Sequence, residues 1–86
     1  MIKYDVVFAR SARKELEKLP DNQALRILGR IERLADDPRP PGCKKLRGER
    51  NLWRLRSGDY RVIYSVDDRR RLVDVNAVRH RSDAYR

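Results

Sequence analysis

Arg54, Arg56 and Arg61 sit among Trp53, Tyr60 and Tyr64 in the segment Lys44–Tyr64, KKLRGERNLWRLRSGDYRVIY, with a Ser57-Gly58-Asp59 turn between them. Like charges crowded onto one small sheet repel, and a polyanion relieves that repulsion; nucleic acid is the commonest one. Guanidinium groups suit phosphate because they are planar, permanently charged and able to donate paired hydrogen bonds. RNA can be cut by such groups without a metal. The ribose 2′-hydroxyl attacks the adjacent phosphate, and negative charge gathers on the phosphoryl oxygens. Catalysis then requires in-line placement, charge neutralisation and help with proton transfer. Arginine neutralises charge, but its pKa of about 12 or more makes it a poor proton carrier. Tyr85, His80, Lys44 and Lys45 are the groups near the cationic segment that could move protons.

The spacing lets these groups meet. Arg54 and Arg61 fall on neighbouring strands of a tight hairpin, and the chain after the last strand can return His80, Arg81 and Tyr85 beside them. Each residue also has a plainer reading. Arg54 can be a surface ion-pair residue, Arg61 a partner of Asp59 or Asp74, His80 an exposed bystander and Tyr85 an anchor for the tail. Trp53 fits a core, a partner contact or a base-stacking platform. Arg69-Arg70-Arg71 reads as a solvated turn with some capacity for phosphate contact.

Hydrophobic spacing defines the elements that must hold these side chains. Tyr4-Asp5-Val6-Val7-Phe8 is rich in strand-forming residues. Ala12, Leu16 and Leu19 form one stripe of a helix from about Arg10 to Leu19, with Lys14, Glu15 and Lys18 on the other side, and Pro20 ends it. Asp21 suits the N-cap of a second helix, in which Ala24, Ile27, Leu28, Ile31, Leu34 and Ala35 recur at helical spacing. Gly29 lies inside that helix at a cost of about 1 kcal/mol relative to Ala; a close approach by another element would explain it. Pro38-Arg39-Pro40-Pro41-Gly42 reads as a stiff crossover. Three strands follow, at about Asn51–Arg56, Tyr60–Val66 and Leu72–Val78. In the second, Val62, Tyr64 and Val66 share one face and Arg61, Ile63 and Ser65 the other. In the third, Val73, Val75 and Ala77 share a face. The expected fold is α+β, β-α-α-β-β-β in order: a small antiparallel-rich sheet with both helices packed on one face, in a single domain over residues 1–86. The other face is then free for Arg61 and its neighbours to project.

Charge is segregated along the chain. Residues 1–38 carry eight Lys/Arg and seven Asp/Glu, whereas residues 39–86 carry fourteen and six, so +8 of the net +9 lies in the second part. A chain of 86 residues with 41% charged and 40% hydrophobic residues supports one modest core and an open functional surface rather than a deep organic pocket. The single cysteine, Cys43, allows no internal disulfide, which fits a reducing compartment. One His and one Cys do not supply a conventional zinc site. No signal peptide or membrane span is read in the sequence, and the expected location is cytoplasmic. These features describe a basic α+β domain facing nucleic acid; they do not separate cutting from binding.

Four ordered motifs add a resemblance. Phe8, Ala12, Lys14 and Leu16 form F-x-x-x-A-x-K-x-L; Lys45 to Gly48 read K-L-R-G; Arg56, Gly58, Tyr60, Arg61 and Tyr64 form R-x-G-x-Y-R-x-x-Y; Val78, His80, Arg81 and Tyr85 form V-x-H-R-x-x-x-Y. Together they resemble the RelE/ParE toxin superfamily of bacterial and archaeal toxin–antitoxin systems, over almost the whole chain. The resemblance implies a metal- and cofactor-independent endoribonuclease that cleaves messenger RNA in the ribosomal A site. Arg61 and Arg81 would hold the scissile phosphate, Arg54 would stand where the family often has a catalytic lysine, and Tyr85 would orient or activate the 2′-hydroxyl. Arg47, with Lys44, Lys45 and Arg56, would grip ribosomal RNA. Implied partners are a small antitoxin, the ribosome and its messenger, and operator DNA only through the antitoxin complex. Two residues before Arg54, where well-studied members carry a second lysine, this chain has Leu52. Arginine at 54 keeps the charge but loses a group whose pKa can be tuned. Two rivals follow from the same likeness: a ParE-like inhibitor of DNA gyrase that cleaves nothing itself, and a decayed toxin that only joins its antitoxin in a repressor.

Overall fold

The computed structural model describes residues 3–48 and 51–82. Its elements are β1 (Asp5–Phe8), α1 (Arg10–Glu17), α2 (Asp21–Arg33), β2 (Lys44–Lys45), β3 (Leu52–Ser57), β4 (Tyr60–Asp67) and β5 (Leu72–His80). The strands form one sheet in the order β1-β5-β4-β3-β2, antiparallel except for β1 beside β5. The short strand β2 is an addition to the expected set. It is two lysines long and carries no apolar pattern, so periodicity does not reveal it.

Both helices cover one face. Ala12 and Leu16 of α1 and Ile27 and Ile31 of α2, with Leu34 just beyond, pack on Leu55, Val62, Tyr64, Val66, Val73, Val75 and Val78. Every one of these is buried, and this apolar burial is the main force holding the layers together. Tyr64 keeps its hydroxyl satisfied by donating to Pro38 O at 2.8 Å; burial pushes its pKa up. That bond also fixes the crossover. Arg39 then clasps Asp68 with two nitrogens, at 3.2 and 2.9 Å, and lies 5.1 Å over the Trp53 ring.

Three local expectations are corrected. Pro20, not Asp21, is the N-cap of α2, and Asp21 is its first residue, where a carboxylate still complements the helix dipole. Gly29 has no close neighbour: a Cβ built there meets nothing within 4 Å, so no tight approach accounts for it. Glu15 does not decorate a solvent face; it turns towards β5.

The fourth correction matters most. The β4–β5 register shifts between Ile63 and Tyr64: Tyr64 pairs with Val75 but Ile63 pairs with Ala77, leaving Asn76 as an extra residue in β5. Val73 and Val75 face the helices as expected. Ala77 does not; past the bulge Val78 takes the core position, 3% exposed, beside Val62. Arg79 thereby joins Arg61 on the opposite face.

Candidate nucleic-acid interface

Strand pairing assembles the cations on the face away from the helices. Arg56 pairs with Arg61, and Arg61 with Arg79, so three guanidinium-bearing residues lie in one row across β3, β4 and β5. Lys44 pairs with Arg54, which pairs with Ile63, in the next row. Like charges placed directly opposite on neighbouring strands cost stability, and an anion on this face offsets that cost.

The Ser57-Gly58-Asp59 turn opens a hollow at the end of the first row. Arg56, Gly58, Asp59, Tyr60, Arg61 and Arg81 line it, and its volume is about 140 Å³. Drug-sized ligands fill roughly 300–1,000 Å³; this hollow suits a single phosphodiester group. Gly58 makes the turn at φ 60, a left-handed conformation cheap for glycine. Arg81 is tied to the turn by its backbone nitrogen, which donates to Asp59 O at 2.7 Å. Its Nε lies 4.0 Å from Asp59 Oδ1, with both side chains largely exposed. Arg61 is only 8% exposed. It sits on the expected face yet is packed into it rather than projecting, and its charge acts from a partly desolvated wall of the hollow. Such burial strengthens its pull on an anion.

The expected residues separate into groups. Arg56, Arg61 and Arg81 share the hollow. Arg54 is half-buried on the same face, one row along. Lys44 is exposed beside it; Lys45 pairs with Trp53 and so points the other way; Arg47 is exposed in the turn after β2. Leu52 lies on the open face opposite Ser65, half-buried. His80 is not with the arginines. It pairs with Tyr60 on the helix side of the sheet, their rings edge to face at 5.2 Å, and its Nδ1 lies 2.9 Å from Ser82 Oγ. Tyr85 lies outside the described residues. Asp59 is the residue of the hollow that the motifs leave out, read along the chain only as a turn former or an ion partner of Arg61. Its place after Gly58, directly before Tyr60-Arg61, is the signal that locates it.

A larger groove of about 360 Å³ runs between the helices, lined by Phe8, Leu16, Leu19, Ala24 and Leu28 with Arg13, Glu17 and Asp21. Its apolar floor suits docking rather than catalysis, and it holds none of the sheet cations. Among the described residues no cluster of His, Cys, Asp or Glu is arranged to hold a metal ion. No described helix is long and apolar enough to cross a membrane.

Comparison with known proteins agrees with this architecture. The family described as ParE toxin of type II toxin-antitoxin system, parDE, matches residues 6–85. The chain belongs to the RelE/ParE toxin superfamily and is a toxin of the type II toxin–antitoxin class. It is 39% identical to Toxin RelG of Mycobacterium tuberculosis over 88 residues, spanning 96% of this chain and 97% of that one. Its fold matches the archaeal RelE–RelB complex of Pyrococcus horikoshii OT3 with a TM-score of 0.82 and 32% identity, covering 92% of this chain and 96% of that one. It matches the isolated Escherichia coli RelE toxin with a TM-score of 0.79 and 28% identity, over 95% and 90% of the two chains.

Proposed function

We propose that this toxin is a ribosome-dependent endoribonuclease that cuts messenger RNA in the A site and so arrests translation. The observation that carries the reading is the phosphate-sized hollow walled by Arg56, Arg61 and Arg81. Arg61, packed into the wall on β4, and Arg81, in the turn after β5 and held by the Asp59 carbonyl, face an anion from two sides. They neutralise the charge that builds on the phosphoryl oxygens as the 2′-hydroxyl attacks. Arg54, one row away, neutralises a neighbouring phosphate. Tyr85, by the family likeness, orients or activates the 2′-hydroxyl; as its oxygen bonds to phosphorus the P–O5′ bond breaks, leaving a 2′,3′-cyclic phosphate and a 5′-oxygen that takes a proton from water, while His80 lies on the other face. Lys44 and Arg47, exposed at the β2 edge, bind ribosomal RNA, joined by Lys45. The ribosome is needed because the hollow alone grips one linkage and leaves the flanking nucleotides unplaced.

The proposed protein partner is a small antitoxin, as in the toxin–antitoxin complexes among the structural relatives. An amphipathic segment in the groove between α1 and α2, with acidic residues reaching the cationic face, would silence the toxin.

Brief induction followed by primer-extension mapping of messengers tests the reading. Cuts inside codons on ribosome-bound messengers are expected, and Arg61→Ala should reduce them about 10²–10³-fold while the folded spectrum is kept. Full toxicity in both Arg61→Ala and Tyr85→Phe defeats it. The second reading, gyrase inhibition, is favoured by the ParE description of the matching family and by Leu52. It requires supercoiling defects and DNA breaks with translation intact.

A further inference from the structure

We propose that the β4–β5 turn, Asp67–Arg71, is a second phosphate-gripping site, a basic knuckle that binds a backbone segment of folded RNA distinct from the strand in the hollow. The inference rests on the RNA-directed reading above. Both acids of the turn are already engaged by hydrogen bonds. Asp67 Oδ1 accepts the backbone N–H groups of Arg69 and Arg70 at 3.1 and 3.0 Å. Asp68 is held by two nitrogens of Arg39 and by the Tyr4 hydroxyl at 2.6 Å. Arg69, Arg70 and Arg71 are all exposed, and among the described residues none of the three takes part in a salt bridge. Two buttressed carboxylates thus present three bare guanidinium groups.

The backbone adds a second pointer. Arg71 adopts φ 53, a left-handed conformation that disfavours side chains beyond glycine and asparagine. Its carbonyl accepts Asp5 N at 2.8 Å, which pins the turn to β1. A long cationic side chain therefore occupies a position that glycine would fill with less strain, on a turn that cannot swing away.

Placement separates this knuckle from the hollow. The two lie at opposite ends of β4, about 25 Å apart at roughly 3.3 Å per residue. Beyond the row of Arg54 and Ile63, the open face between them carries Ser65 and Asp67 on β4, Asp74 and Leu72 on β5, and Leu52 on β3. None of these five is a cation. A single strand running from the hollow to the knuckle would meet apolar and acidic surface, so the knuckle fits a separate phosphate backbone. A folded RNA such as the ribosome presents such a second segment at this distance; a short single strand does not.

The test compares the wild-type chain with R69Q/R70Q/R71Q and R69K/R70K/R71K. Affinity is measured for programmed ribosomes, for a ten-nucleotide single-stranded RNA and for the cognate antitoxin, across a salt series. The glutamine variant is expected to bind ribosomes about ten- to a hundredfold more weakly, with the slope of log K against log salt reduced by about two. Its affinity for the short RNA should be unchanged, and the lysine variant should recover most of the loss. Unchanged ribosome affinity and slope would overturn the proposal, as would equal losses on ribosomes and short RNA, or a loss confined to the antitoxin. Messenger cleavage by the wild-type chain, read in parallel, stands apart. Binding losses as expected without any cleavage retain the knuckle and sink the nuclease reading; cleavage with no binding change does the reverse.

Discussion

Glu15 of α1 bonds to the backbone of Val78 in β5: its Oε1 accepts the Val78 N–H at 3.0 Å. Its Oε2 lies 3.2 Å from Arg79 Nε. Strand β1 covers β5 only from Leu72 to Val75. Beyond that point α1 takes over the exposed edge, with Ser11 Oγ donating to Asn76 O and the Ala9 nitrogen donating to Val75 O. A helix carboxylate thus substitutes for a missing strand and holds the part of β5 that carries Arg79 and leads to Arg81.

Removing that carboxylate should loosen the strand. Glu15→Ala is expected to lower unfolding free energy by about 1–3 kcal/mol, because it strands the Val78 donor. Arg79→Ala removes only the half-exposed ion pair, and about 0–1 kcal/mol is expected. Urea denaturation of the two variants measures the difference; equal losses would show that the Val78 bond contributes nothing.

Gly29→Ala should stabilise the toxin by about 1 kcal/mol. The site is helical and open, with nothing within 4 Å of an added Cβ. A rise in thermal midpoint with unchanged toxicity is the expected result. A fall would mean that the glycine serves an unrecognised contact.

Arg39 and Asp68 predict a pH dependence. The hydrogen bonds from Arg39, followed by that from Tyr4, hold the Asp68 carboxyl below its ordinary pKa. A lowered folded-state pKa means that the unfolded chain binds the proton more readily. The stabilisation is therefore complete above the ordinary value of about 4 and is lost as pH falls below it. The gap in stability between wild type and Asp68→Asn should be widest above about pH 5 and close below about pH 4. A gap that stays constant through acid titration would disprove the coupling.

Arg61→Lys distinguishes charge from geometry in the hollow. Lysine keeps the positive charge but not the planar fork. Cleavage on ribosomes should fall about tenfold or more, yet less than with Arg61→Ala, and the salt dependence of ribosome binding should hardly change. Full activity in the lysine variant would reduce Arg61 to a simple counter-charge.

Much of this was legible along the chain. The apolar stripes of Ala12/Leu16 and Ile27/Ile31 define both helices and their buried sides, because core contacts repeat with the helix period. Alternation in Tyr60–Asp67 places Val62, Tyr64 and Val66 in the core and Arg61 opposite, because side chains change face at every residue of a strand. The charge imbalance marks the cationic half, and the ordered motifs mark the superfamily.

Other features needed the third dimension. The pair of lysines in β2 becomes a strand only because β3 offers an edge to pair with. His80 leaves the arginines through a pairing with Tyr60 that no local pattern records. The extra residue at Asn76 decides the most: one bulge reverses the alternation of β5, sends Val78 inward and aligns Arg79 with Arg61. Residue types and their spacing determined which helices, strands and charges this toxin has. Which charges share a face was settled by strand register, a non-local choice in which a shift of one residue exchanges the two sides of a strand.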